Sequence, residues 1–261
     1  MTETIAPPTP KWASAITSSA SSSKPKSIML YGLPGTRKTS IAGSIALAPQ
    51  FKKVLMIDID QGSEVYAQNP LLGNIDILLI DPLEANAKAK LDGVIHDITT
   101  TDYGYDAVIL DTFDVAQDVA EKVFKATNPD PKNGFWVYGE LGVWSDETIR
   151  KLHSSPFFTA IITCHSAETK TKSGGVRTLP RLSGSSKEAI AGIPSIVAYL
   201  EYGTHPETGE RHLLATVGES DNLVSKNRYG LPPVIVDLDM PKLYNLISER
   251  VGKPAVTETA K

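Results

Sequence analysis

One eight-residue segment, Gly32-Leu33-Pro34-Gly35-Thr36-Arg37-Lys38-Thr39, constrains the fold more than any other part of the chain. An apolar run, Ser27-Ile28-Met29-Leu30-Tyr31, precedes it. A helix-compatible stretch, Ser40-Ile41-Ala42-Gly43-Ser44-Ile45-Ala46, follows. Strand, glycine turn and helix in that order bring a row of backbone N–H groups and the positive end of a helix to one point. Such a nest accepts phosphate oxygens. The spacing is that of G-x-x-x-x-G-K-[ST] at every position but one, where Arg37 stands for the second glycine. The stretch Gly32 to Ser40 is therefore expected to hold a nucleotide, with ATP and magnesium as cofactors. Lys38 is placed to reach the outer phosphates, and Thr39 to offer its hydroxyl to magnesium. Glycine at position 37 lets backbone approach phosphate closely. An arginine there must turn its side chain away or add a charge beside the phosphates, so hydrolysis is expected to suffer more than binding.

Composition narrows the setting. With 261 residues, 41% of them hydrophobic, the chain is long enough for one large α/β domain. A net charge of -4 does not announce a nucleic-acid binder, although a local basic loop can act within an acidic protein. The single cysteine, Cys164, excludes an intramolecular disulfide framework and a cysteine-cluster metal site. No apolar stretch approaches the ~20 residues of a membrane helix, and no secretory signal opens the chain. A cytoplasmic protein with no membrane partner is the expectation.

Residues 1–25 read as a flexible Ser/Thr/Pro-rich segment, with Trp12 as its one possible anchor, and residues 253–261 as a disordered tail. Between them, residues 26–252 alternate strand and helix signals. Strands are expected over 27–31, 53–58, 76–80, 106–111, 158–164, 196–201, 211–217 and 233–237. Helices are expected over 38–48, 83–98, 113–126, 138–154, 185–192 and 240–251. The first five strands are apolar runs, as in parallel strands buried on both faces. The turn-rich His205-Pro206-Glu207-Thr208-Gly209 joins the next two as a hairpin. The expected fold class is α/β: a mostly parallel central sheet flanked by helices, with an antiparallel C-terminal extension.

Several polar groups fall at strand ends, where ligands of open α/β sheets sit. Ala107-Val108-Ile109-Leu110-Asp111 is an apolar strand ending in a carboxylate, the form of a Walker B strand. Asp111 is a candidate magnesium ligand, the alternative being a cap on the following helix. Val54-Leu55-Met56-Ile57-Asp58-Ile59-Asp60 puts Asp58 and Asp60 on one face. Asp60 is the candidate for orienting or deprotonating an attacking water, and Asp58 could join the metal shell. Otherwise both are solvated turn residues. His165 follows a third apolar run and is a candidate sensor of the terminal phosphate, or else a satisfied loop histidine. Lys170, Lys172, Arg177 and Arg181 lie in a basic, glycine-rich stretch suited to a mobile loop on a phosphate backbone, or to a solvated surface loop. Lys226 and Arg228 share a face if extended. They are candidates for stabilising transition-state charge, in this chain's own site or a neighbouring subunit's, or else form a basic turn.

In this order the motifs resemble the RecA-like P-loop ATPase core, and more closely the phage RecA-like single-strand annealing and recombinase proteins. The resemblance covers about residues 26–250 and rests on the P-loop, the strand end at Asp111, the sensor strand, the basic loop and Lys226-Asn227-Arg228. It implies ATP and magnesium binding, self-association into a ring or filament, and single-stranded DNA as partner. It also implies a phage protein acting in the bacterial host cytoplasm, with a phage single-strand DNA-binding protein as a further partner. Asp60 then takes the position of a water-activating glutamate, one methylene short, and His165 that of an amide sensor. Two other readings stay open: a replication accessory ATPase or helicase-like protein, and a weakly hydrolysing nucleotide-binding interaction module.

Overall fold

The computed structural model describes residues 25–130, 132–171, 174–183, 187–204 and 209–250. The expectations for the N-terminal segment up to residue 24, for the tail from 253 and for Lys172 fall outside these residues, as does most of the turn at 205–209.

Six strands run parallel: β1 (Ser27–Gly32), β2 (Val54–Asp58), β3 (Ile75–Leu79), β4 (Ala107–Asp111), β5 (Thr159–Lys170) and β7 (Ile196–Thr204). Antiparallel strands complete the sheet: β6 (Val176–Pro180) on β5, β8 (Arg211–Thr216) and the short β9 (Lys226–Asn227) on β7, and β10 (Val234–Val236) on β8. The order across the sheet is β10-β8-β7-β1-β5-β4-β2-β3. The expected architecture, including the antiparallel C-terminal extension, is present.

Alternation along the strands builds a core on each face. Ile28 and Leu30 of β1 pack with Ile41 and Ile45 and with Leu243 and Ile247. The last two belong to α6 (Met240–Arg250), which covers that face together with α1 (Lys38–Gly43). Met29 and Tyr31 point the other way, toward Leu91, Phe113 and Ile149. These come from α2 (Ala87–Thr100), α3 (Phe113–Thr127) and α4 (Gly134–Ser154). Each fully buried Ile, Leu or Phe contributes about 1.5–3 kcal/mol. Two cores on one sheet hold the strand ends, and hence the loops that leave them, in fixed register.

Three expectations need correction. The run at β3 reads as buried on both faces, yet Ile77 and Leu79 are exposed. Apolar composition reports low affinity for water, and β3 is an edge strand whose Leu78 packs against the core while Ile77 and Leu79 stay in solvent. The expected α1 spans only Lys38–Gly43 and tightens into a 3-10 turn, Ser44–Leu47. The basic stretch after His165 is not a loop throughout: β5 continues to Lys170 and pairs with β6 as a hairpin, from Ser166↔Pro180 to Lys170↔Val176. A short fifth helix, α5 (Lys187–Ala191), follows it. Among the described residues, no helix is long and apolar enough to cross a membrane.

Candidate functional site

The segment after β1 forms the expected nest. Gly35 has φ 82 and Arg37 φ 61 with ψ 23, both left-handed. The missing second glycine is thus a residue whose backbone conformation glycine would have eased. Arginine adopts it anyway, at a cost of about 1–2 kcal/mol, and Arg37 is exposed. The cradle keeps its shape. Arg37→Gly is expected to raise thermal stability by about 0.5–1 kcal/mol, the relief of strain being partly offset by glycine's extra chain entropy. A thermal melt that shows no gain or a loss would refute the strain.

Lys38 is buried, and its ammonium donates to the carbonyls of Gly32 at 3.1 Å and Leu33 at 3.0 Å. Burial lowers its pKa, while Asp111 and Asp114 act in the opposite direction. Thr36 closes the loop from within, its hydroxyl donating to the Leu33 carbonyl at 2.8 Å.

Register across the sheet brings Asp111 to this loop. β5 lies between β1 and β4, so Asp111 at the end of β4 stands one strand away from the nest. Its Oδ2 accepts from the Thr39 hydroxyl at 2.7 Å, and its Oδ1 accepts from the Thr163 hydroxyl of β5. It does not cap α3, whose N-cap residue is Thr112. Asp111 is fully buried, and burial raises its pKa against the hydroxyl bonds that lower it. A buried carboxylate in that condition favours a cation beside it.

Asp58 and Asp60 separate in role. Asp58 is buried, and its carboxylate accepts from the N–H groups of Gly62 at 3.1 Å and Ser63 at 2.9 Å. It pins the turn that leaves β2, beside Asp111 in the β2–β4 register. Asp60 is left at the mouth of a cavity of about 310 Å³, lined also by Pro34, Gly35, Lys38, Thr39, Ser40, Thr112 and His165. Partial burial raises the Asp60 pKa, opposed chiefly by His165. A raised carboxylate pKa suits a general base better than an ordinary one.

Thr112 has no counterpart in the sequence reading. Its hydroxyl is buried without a hydrogen-bond partner among the described residues, and the residue lines the same cavity. Buried polar groups are nearly always paired, so a ligand or its water fits here. No sequence signal singles Thr112 out beyond its place after Asp111. Among the described residues, no cluster of three or more His, Cys, Asp or Glu forms a metal site. The donors present, Thr39 and Asp111, suit a hard cation that keeps waters and takes phosphate oxygens as its remaining ligands.

The remaining basic candidates scatter. Lys170 is exposed at the end of β5. Arg177, on β6, pairs with Glu188 at 3.2 Å. Arg181 does not stand free on a loop: it binds Asp114 at 2.8 Å and Asp118 at 2.9 Å. Lys226 and Arg228 lie at the far end of the sheet. β9 pairs Asn227 with Ile196 at the start of β7, and Ile196 pairs with Ile28 at the start of β1. That is roughly 13 Å of strand away from Gly32. Arg228 borders a separate cleft of about 590 Å³ with Lys26, Phe51 and Tyr229. Within one chain this pair does not reach the nest.

A nest between β1 and α1, an acidic strand end one strand away and a mostly parallel sheet covered on both faces define a RecA-like P-loop nucleotide-binding domain. The AAA domain family profile matches residues 24–229, and the chain belongs to that family. None of the curated proteins matches it. Among solved structures it is similar to the flagellar accessory protein FlaH from Methanocaldococcus jannaschii, at 16% identity over 81% of this chain and 84% of that one, with a TM-score of 0.45. The RadB recombinase is 12% identical over 72% and 79% of the two chains, with a TM-score of 0.43. The ATPase EscN of the enteropathogenic E. coli type III secretion system, solved with its central stalk EscO, is 15% identical over 76% and 48%, with a TM-score of 0.46.

Proposed function

We propose that the chain is an ATP-dependent single-stranded-DNA-binding protein of phage recombination or strand annealing, working with magnesium in the host cytoplasm as a ring or filament. The observation that carries the ATP reading is the convergence of Lys38, Thr39, Asp60, Thr112 and His165 on one cavity, with Asp111 bonded to Thr39 behind it. The nest and Lys38 hold the phosphates. Thr39 and Asp111 would hold magnesium, which supplies charge neutralisation between the outer phosphate oxygens. Asp60 orients water toward the terminal phosphate, and His165 contacts that phosphate from β5, opposite Gly32.

The DNA reading is supported by the β5–β6 hairpin, which leaves the sheet at the end that carries the cavity. Lys170 and Arg177 are its cations among the described residues, and Lys172 is expected to act with them. The Arg177–Glu188 pair is partly exposed, so it contributes little and can yield to a phosphate. Self-association is supported by the position of Lys226 and Arg228, since only a neighbouring copy can bring such a pair to a triphosphate. A phage single-strand DNA-binding protein remains the further expected partner.

The deciding experiment is ATP hydrolysis with and without single-stranded DNA across a salt series. Stimulation by DNA that fades as salt rises is expected. Turnover indifferent to DNA would move the reading to an accessory ATPase, and binding without turnover to an interaction module.

A further inference from the structure

His165 and Arg181 were expected in different places, one at the phosphates and one on a polymer-gripping loop. The fold gives them a common partner. Asp114, in the first turn of α3, is 1% exposed. Its Oδ2 accepts from His165 Nδ1 at 2.8 Å and from Arg181 Nε at 2.8 Å. Its Oδ1 accepts from the His165 backbone N–H at 3.1 Å. The Arg181 N–H in turn donates to the His165 carbonyl at 2.7 Å, and Arg181 Nη2 donates to Asp118 at 2.9 Å. The start of α3, the sensor position on β5 and the residue after β6 are thereby closed into one ring of hydrogen bonds.

Chemistry explains why each member is needed. A carboxylate this buried requires more than one charged or strongly polar partner. A histidine whose Nδ1–H donates to a carboxylate has its ring plane fixed, and its Nε2 donates to a phosphate oxygen in the imidazolium form, which the carboxylate beside Nδ1 and an arriving triphosphate both favour. Arginine's rigid fork spans two carboxylates, Asp114 and Asp118, which a lysine's single ammonium cannot match.

We propose that Asp114 is a positioning residue of the nucleotide site, that Arg181 is its counter-ion, and that the two together aim the His165 imidazole at the terminal phosphate. Arg181 then belongs to nucleotide recognition rather than to the DNA surface. The inference rests on the reading of the cavity as an ATP site, and it concerns discrimination between tri- and diphosphate.

The test compares affinities for ADP and for a non-hydrolysable ATP analogue, both with magnesium, in the full chain. The native protein is expected to favour the analogue. His165→Ala and Asp114→Asn should each cut that preference by about tenfold, the worth of one charge-assisted hydrogen bond, with ADP affinity held within about threefold. The double variant should lose no more than either alone, because both remove the same contact. Arg181→Ala changes a half-exposed side chain and keeps the proposal testable if Asp114→Asn does not fold. It should lose part of the preference, and Arg181→Lys should restore only a fraction. In parallel, nitrogen NMR of the His165 ring without nucleotide should show the proton on Nδ1 in the native chain and a mixture of tautomers in Arg181→Ala. Equal losses for both nucleotides, additive effects, or an unchanged tautomer would reduce the triad to a structural staple and overturn the proposal. If the native chain binds neither nucleotide while its tautomer still depends on Arg181, the ATP reading fails instead, and the phosphate role assigned here falls with it.

Discussion

Replacing Lys38 with alanine should remove nucleotide binding while leaving the fold in place. The side chain reaches two carbonyls of the loop, of Gly32 and Leu33, and is a buried cation lining the cavity. A phosphate arriving there gains charge-assisted hydrogen bonds in a water-poor setting, each worth roughly 1.5–3 kcal/mol. Losing two such bonds corresponds to a fall in affinity of about 100-fold or more. The Leu33 carbonyl keeps the Thr36 hydroxyl as a donor at 2.8 Å, which limits the loss, so the melting temperature should move by only a few degrees. Titration calorimetry with ATP and magnesium measures the first effect and a thermal melt the second. Unchanged affinity in Lys38→Ala would sink the phosphate assignment of the whole loop.

Gly32→Ala should be the most destabilising single-methyl change at the site, for a reason unrelated to backbone freedom. β1 is flanked by two parallel neighbours, and Gly32 stands opposite His165 on one and Leu200 on the other. A Cβ at this position would lie 2.4 Å from the Leu200 carbonyl oxygen and 2.8 Å from the Thr36 hydroxyl. The first is backbone in the middle of a sheet and cannot step aside without breaking the β1–β7 register. A cost of about 2–4 kcal/mol is expected, or a fall in melting temperature of very roughly 5–15 °C for a domain this size. Gly35→Ala is the control. Its φ is 82 and nothing lies within 4 Å of an added Cβ, so only the left-handed strain of about 1 kcal/mol applies. If the two variants melt together, steric closure at Gly32 is not what holds the end of β1.

Much of this was legible in the order of residue types. Apolar runs of five or six residues alternating with helical patterns set out the strands and helices to within a few residues, because those periods are local properties of the chain. The loop from Gly32 to Thr39 was legible for the same reason: its ligands are its own successive N–H groups, so spacing alone specifies it. Asp111 was legible as the end of a buried strand. The hairpin was not. Lys170 to Arg181 has no apolar alternation, and its pairing depends on β5 projecting past its neighbours. The burial of β3 was overestimated because no sequence feature says which edge the helices leave bare.

The division runs along the range of the forces involved. The nest, the strand that feeds it and the helix that receives it follow from contacts within eight or so residues, and the residue types commit the chain to them wherever the rest of it goes. The meeting of Asp111 with Thr39 and of Asp114 with both His165 and Arg181 depends on sheet order and on the packing of α3 against β5, which are set by the two hydrophobic cores taken whole. Arg181 shows the consequence. By composition it belonged with the lysines of a basic stretch. A buried carboxylate 67 positions earlier in the chain, brought beside it by those cores, ties it to His165 instead.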